Sequence, residues 1–387
     1  MKTALISLAA LLSAQCLTAA EPQNGTGETD GYRLVWQDLF DDGVLRPERW
    51  NIEVNGNGGG NHELQYYHPD NVRVGDDGYG NGCLILTARR LEEPIEKRHF
   101  TSGRVNTSKL FAFCHGKIEA AIRFPKTANG LWPAFWMMGN DHAENGWPKC
   151  GETDIVEMGH STGIKSATTD RFFNGALHWG QAWPNRSYAR DTTKSYSLQD
   201  GEFHLFTLIW DEDYVSMYVD LDKTPRQTPY FRMKITADDP DNPDSAGNYF
   251  HKENFILFNL AVGGDFPDCH FNADITALNA ENGYEASMYV NYVKVYQKGT
   301  PDESLSAVVP GDGIEAGTAD AIAETACPIS FDGVTVSAPG ADISVVTPQG
   351  TTVAEGRASV PLTGQRPGLY IVRACRTGKT NTAKIIK

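Results

Sequence analysis

Three carboxylates stand within six residues in the stretch WPKCGETDIVEMGH (147–160): Glu152, Asp154 and Glu157. Paired carboxylates are the tools of glycosidic-bond hydrolysis, in which one attacks the sugar or activates water while the other gives and takes the proton. Read as a β-strand, the stretch places Glu152 and Asp154 on one face, because side chains alternate, and Glu157 on the other. One extra residue among Ile155 and Val156, absorbed in a β-bulge, returns Glu157 to the face of its partners. Glu152 and Glu157 then lie four pleat steps apart, about 13 Å along the backbone at roughly 3.3 Å per step. Two Glu side chains leaning together close most of that gap toward the ~5–5.5 Å between the carboxyls of a retaining glycosidase. The same alternation also describes the solvated face of an amphipathic strand, so the neighbourhood matters. Trp132, Phe135 and Trp136 lie upstream in GLWPAFWMMG, and His178, Trp179 and Trp183 downstream in GALHWGQAW. Each aromatic is an ordinary core residue taken singly, but sugar rings present flat C–H faces that stack on aromatic rings.

The elements that must hold these residues are strands. CLILTARR, GKIEAAIRF, FWMMG, TDIVEM, GALHWG, FHLFTLIW, YVSMYVDL, NFILFNLAVGG and SMYVNYVKVYQ recur between Gly, Asn, Asp or Pro, the mark of an all-β chain. In YVSMYVDL, Val215, Met217 and Val219 alternate with Ser216, Tyr218 and Asp220, as in a strand with one buried face. The Asn/Gly-rich run from Asn55 to Asn61 has no helix after it and so reads as a flexible loop rather than a phosphate cradle.

From Trp36 to Gln297 the sequence resembles the laminarinase-like members of glycoside hydrolase family 16, whose active strand reads E-(I/L/V)-D-x-x-E. The resemblance runs through GNGGGNHELQYY (56–67), LILTARR (84–90), TSGRVNT (101–107), GKIEAAIRFP (116–125), GLWPAFWM (130–137), WPKCGETDIVE (147–157), NLAVGGDFP (259–267) and YVNYVKVYQ (289–297). It implies a β-jelly-roll sandwich with an open concave cleft, Glu152 as nucleophile, Glu157 as acid/base and Asp154 as support for the nucleophile. The substrate-contacting set is expected to be Trp132, Trp136, Arg104, Asn61, His178 and Trp179, with Glu63 beside Asn61 on the loop that borders the glycone side. By the same resemblance the partner is a β-glucan polysaccharide of the 1,3-linked laminarin type, with mixed-linkage 1,3-1,4-β-glucan as a second substrate. Two other readings stay open: a non-catalytic β-glucan-binding protein, and a hydrolase of another neutral polysaccharide such as agarose. Many relatives also carry W-x-D-E-F near the first strand and Asp in the last, close to a structural calcium. Leu39 and Asn291 occupy those positions here, so calcium is expected to be weak or absent.

The first twenty residues, MKTALISLAALLSAQCLTAA, have the Lys, the apolar run and the small residues of a signal peptide cut after Ala20. The expected product is secreted or displayed at the cell surface, is not inserted in a membrane, and is a monomer. Formal charge is −15 and becomes −16 once Lys2 leaves, which disfavours nucleic acid and sulfated polysaccharides and favours a neutral substrate. Six cysteines remain after processing, an even number in a compartment where bridges persist; no CxxC or HExxH occurs, so no catalytic metal or other cofactor is expected. The domain boundaries read as 1–20 signal peptide, 31–298 catalytic jelly roll, 299–326 linker and 327–387 a small β domain. The last of these resembles the sorting tail of the type IX secretion system of Bacteroidetes and implies a secretion machinery as partner. A carbohydrate-binding module is its rival, disfavoured because Phe331 and Tyr370 are its only aromatics.

Overall fold

In a computed structural model of the protein, residues 31–182, 184–236 and 241–307 are described, followed by 329–331, 334–346, 352–363, 369–376 and 379–386. The expected signal peptide and most of the expected linker lie outside these residues, as do Trp183 and Cys327.

Two sheets pack face to face. One runs, in hydrogen-bonded order, Phe231–Lys234, Tyr214–Val219, His204–Trp210, Gly116–Arg123, Glu285–Gln297, Gly82–Ile95, Arg98–Ser102 and Gln65–Tyr67. The other runs Arg186–Thr193, Phe172–Trp179, Glu152–Met158, Leu131–Gly139, Asn254–Val262, Arg104–Asn106 and Asn51–Ile52. All pairings are antiparallel except that of Gln65–Tyr67 with Arg98–Ser102. Alternation decides which side chains meet between the sheets: Val215, Met217 and Val219 turn inward, and so do Phe135 and Phe258, whose rings stack at 4.7 Å. Each such ring withdrawn from water contributes about 1.5–3 kcal/mol. In Asn254–Val262 both faces are buried, because on the outer face Phe255 and Leu257 pack in a second apolar cluster with Ala134, Trp136 and Met138.

The strand Glu152–Met158 is irregular at the expected place. Against Leu131–Gly139, Val156 lies opposite Phe135 but Asp154 lies opposite Trp136, so Ile155 is the extra residue. On the other side Asp154 faces Ala176 and Glu157 faces Asn174, three steps against two. Ile155 and Val156 are consecutive, yet both are fully buried in the inter-sheet core, which a regular strand forbids. The carbonyl of Ile155, taken out of the ladder, accepts a hydrogen bond from the Tyr230 hydroxyl. The strand ends at Gly159, where φ is +96° and an added Cβ would sit 2.0 Å from the Leu131 carbonyl oxygen, so only glycine lets the two strands approach.

The first residues of the linker expected over 299–326 are instead folded onto the sandwich. Ser304–Ala307 returns as a strand paired with Phe111–Cys114, and Leu305 packs against the core. The Glu303 carboxylate caps the backbone N–H groups of Lys298, Gly299 and Thr300, and the His115 Nδ1 lies 2.8 Å from Asp302 Oδ2. Farther on, Thr335–Val346 pairs with Ser330–Phe331, Thr352–Pro361 and Leu369–Arg376, and the last of these with Lys379–Ile386. Val336, Ile343, Val345, Val360 and Val372 form an apolar cluster of their own.

Among the described residues Cys114, Cys150 and Cys269 are buried thiols outside any disulfide and Cys375 is an exposed one, which corrects the expectation of bridges for these four. Burial pushes the Cys114 and Cys150 thiols up to about 12, which leaves them unreactive at neutral pH. No helix among the described residues is long and apolar enough to cross a membrane.

Candidate active site

Residues directly opposite one another on paired strands share a face, so the register lays out the outer face of the second sheet as three rows. Phe255, Met138, Glu152, His178 and Ser187 form one; Leu257, Trp136, Asp154, Ala176 and Ala189 the next; Arg104, Asn259, Ala134, Glu157, Asn174 and Asp191 the third. The bulge is what puts Glu157 in this array.

Each carboxylate has its own partners. Trp132 Nε1 donates to Glu157 Oε1 at 2.9 Å, and Asn174 Nδ2 donates to Oε2 at 3.0 Å. His178 Nε2 lies 3.2 Å from Asp154 Oδ2, and its Nδ1 lies 2.7 Å from the Ser187 hydroxyl, which fixes the ring between them. Glu152, Asp154 and His178 bring polar atoms within 4.8 Å of one another. Trp132 is stacked on Phe266, with centroids 4.6 Å apart and planes at 7°, and forms a half-buried wall. Trp136 is held by Nε1 on Asn259 Oδ1 at 2.7 Å, and the Arg104 guanidinium lies 4.9 Å over its ring.

Burial is the largest influence on all three carboxyls and pushes each up to about 8. The Asp154 charge raises Glu152 and Glu157 further, while His178 opposes it on both; Trp132 and Asn174 also favour the ionised Glu157. The cluster therefore holds protons at neutral pH and titrates as a unit. Carboxyls raised from about 4 in the unfolded chain to about 8 bind more protons folded than unfolded across that interval, so stability is full at its acid end and falls as pH rises through it. Asp154→Asn removes one titrating group and its repulsion of the others. The unfolding midpoint of the wild type is expected to drop more than that of Asp154→Asn between about pH 5 and pH 8; parallel curves would contradict this account.

Of the other residues expected to contact sugar, Trp132, Trp136, Arg104 and His178 come together around the carboxylates. Arg104 Nε lies 2.8 Å from Glu53 Oε1, an ion pair that pins the guanidinium at the edge of the row. Asn61 sits in the neighbouring loop, where its carbonyl accepts from Asp265 N at 2.9 Å and its side-chain amide turns to the Gly59 carbonyl. Two expectations are corrected. Trp179 faces the opposite way from His178, into the inter-sheet core against Phe250, with Nε1 on the Asp244 carbonyl. Glu63 is buried under the Gly-rich loop and accepts from Gln65 Nε2 and the Tyr67 hydroxyl, so it is a post for the loop. Asn174, Asn259, Phe266 and Glu53 went unnoticed in the sequence; Asn174 carried a usable signal, as a polar residue four positions before His178 in an apolar strand.

The position where relatives of this kind hold calcium does not fit the ion here. Asn291 Nδ2 donates to the Gly82 carbonyl at 2.8 Å, so a cation would meet an amide N–H, and the Leu39 side chain offers no oxygen. The unfolding midpoint is expected to be unchanged between millimolar calcium and excess chelator; a rise of several degrees with calcium would overturn this.

The glycosyl hydrolases family 16 model matches residues 62–242, which include all three carboxylates. A glucan endo-1,3-beta-glucosidase of Cryptopygus antarcticus is 34% identical over 266 residues, covering 67% of this chain and 90% of that protein. The chain belongs to glycosyl hydrolases family 16. Its sandwich is the family's jelly roll: a solved Bacteroides ovatus family 16 structure from a mixed-linkage glucan locus, in complex with its product, is 35% identical with a TM-score of 0.59, over 68% of this chain and 100% of that one. The alpha subunit of clotting factor G from Tachypleus tridentatus is 31% identical over 280 residues, 72% of this chain, and the chain spans 35% of the length of that larger relative.

Proposed function

We propose that the protein is a retaining endo-hydrolase of 1,3-β-glucan, laminarin above all, that also cleaves mixed-linkage 1,3-1,4-β-glucan. The observation that carries this reading is the bulged strand with Glu152, Asp154 and Glu157 on one face, each with different partners. Glu157 starts protonated, because burial and the neighbouring Asp154 charge favour its acid form, and gives its proton to the departing glycosidic oxygen. Glu152 attacks the anomeric carbon as a carboxylate. Asp154, tied to His178, sits between them and holds Glu152 in line. Esterified Glu152 has lost its charge, so the repulsion that favoured the acid form of Glu157 falls, and Glu157 becomes the base that draws a proton from water.

The substrate side rests on the neutral-polysaccharide logic of a chain at −15 and on the stacked Trp132 and Phe266 wall. It is supported by the endo-1,3-β-glucosidase and mixed-linkage relatives. The test is product profiling on laminarin, mixed-linkage glucan, cellulose, agarose and carrageenan, with proton NMR of the earliest products. Laminarin is expected to be cut to short oligomers released as the β anomer, and cellulose to resist. Cleavage of agarose without laminarin would move the substrate to galactans, an early α anomer would remove the retaining mechanism, and glucan binding without turnover would make the protein a recognition module. For residues 327–387 we keep the sorting role. Deleting them should leave hydrolysis of soluble glucan intact and block surface delivery; unchanged display would refute it.

A further inference from the structure

Asn174 stands directly opposite Glu157 on the adjoining strand, 5% exposed against 8% for Glu157. With Trp132 on one carboxyl oxygen and Asn174 on the other, both oxygens of Glu157 receive an N–H. The two donors differ in kind. The indole is fixed by its stack on Phe266 and can only donate. The amide carries a donor and an acceptor side by side, and its Oδ1 is buried with no partner among the described residues. Turned half a revolution about its last bond, Asn174 would offer that oxygen to a protonated Glu157 instead. It does not: the orientation present gives up the oxygen in order to donate, and so favours the carboxylate.

Every other influence close to Glu157 can be set beside this one. Asp154 on its own strand and Asp191 across from Asn174 carry negative charge toward the same row, and burial also favours the acid; His178 opposes them. Glu152 and Arg104 complete the charged groups around the cluster. We infer that Asn174 is a positioning residue that holds the ionised form of Glu157, in the half of the reaction where Glu157 must accept a proton from water. This rests on Glu157 being the acid/base. The proton passes from Glu157 to the leaving oxygen in the first half and from water back to Glu157 in the second, and Asn174 exchanges none.

The test is the pH profile of kcat/KM for Asn174→Leu, with Asn174→Ser as the smaller alternative and the unfolding midpoint as a check on folding. Without the N–H, the alkaline limb is expected to move up by about 0.5–1 pH unit. On an aryl β-glucoside whose leaving group needs no acid, kcat and KM at neutral pH should fall together, because glycosyl-enzyme accumulates when the base is too protonated to work. An alkaline limb that stays or moves down in the folded variants overturns the inference. If neither variant folds, ¹³C-carboxyl titration of Glu157 in Glu152→Gln and in Glu152→Gln with Asn174→Ala gives the same comparison, with equal midpoints counting against it. Glu157→Ala separates the two readings. Rescue by azide with the aryl substrate keeps the acid/base assignment whatever Asn174 does, whereas no rescue together with an intact alkaline limb removes that assignment.

Discussion

Glu152→Gln is expected to fold as the wild type does and to lose roughly 10⁴-fold or more in kcat on the proposed substrate, laminarin. The amide has the shape of the carboxylate it replaces and keeps the van der Waals contacts of Glu152 opposite Met138 and His178, but its oxygen does not attack an anomeric carbon. Stability should not suffer. Burial and the Asp154 charge both disfavour an ionised Glu152, so a neutral side chain relieves a cost and the unfolding midpoint at pH 8 is expected to stay level or rise. The chemical proof is a smaller variant, Glu152→Gly, which with azide and an activated β-glucoside should release the α-glucosyl azide, since the small anion occupies the place of the missing carboxylate. A Glu152→Gln enzyme within tenfold of wild type would take the nucleophile's role away from this residue.

Deleting Ile155 tests whether the shared face alone makes the site. With the extra residue gone the strand alternates strictly, which keeps Glu152, Asp154 and Glu157 on one face and Thr153 and Val156 on the other. The fold is expected to lose about 2–5 kcal/mol, because the Ile155 side chain leaves the inter-sheet core and the Tyr230 hydroxyl loses the bulge carbonyl it serves. Turnover is expected to survive at a reduced level, since the carboxyls keep their face but Glu157 loses the aim that the bulge gives it. Ile155→Ala isolates packing from register. It should keep kcat within a few-fold and lose about 2–5 kcal/mol of stability. Complete loss of kcat in a deletion variant that still folds would show that the bulge geometry, beyond the shared face, sets the site.

That bulge was legible because a single constraint demanded it: three carboxylates useful only together, at a spacing that a regular strand divides. Other parts were not legible, for particular reasons. His178 and Trp179 are neighbours on a strand, so both could not face the sugar, but choosing between them needed the register to Glu152 and Ser187. Glu63 looked like a loop residue open to ligand. Its carboxylate is instead under the loop, and an added Cβ on Gly59 would lie 2.1 Å from it. Arg104 is legible through the TSGR motif of the resemblance, yet what aims it is Glu53, 51 positions earlier in the chain and joined to it only by strand pairing. Ser304–Ala307 is four unremarkable residues, SLSA, whose strand form comes from the waiting edge of Phe111–Cys114 and not from any propensity of its own.

That late strand sets where the catalytic unit can be cut. A version trimmed at Gln297, where the last motif of the sequence resemblance ends, would uncover the backbone N–H and C=O groups along one side of 111–114, together with the space Leu305 fills and the end that Glu303 ties down. A bare strand of buried, apolar FAFC is an invitation to another copy. The trimmed enzyme should therefore clump by edge-to-edge pairing at concentrations where a version ending beyond Ala307 stays dispersed, a difference that light scattering reads directly.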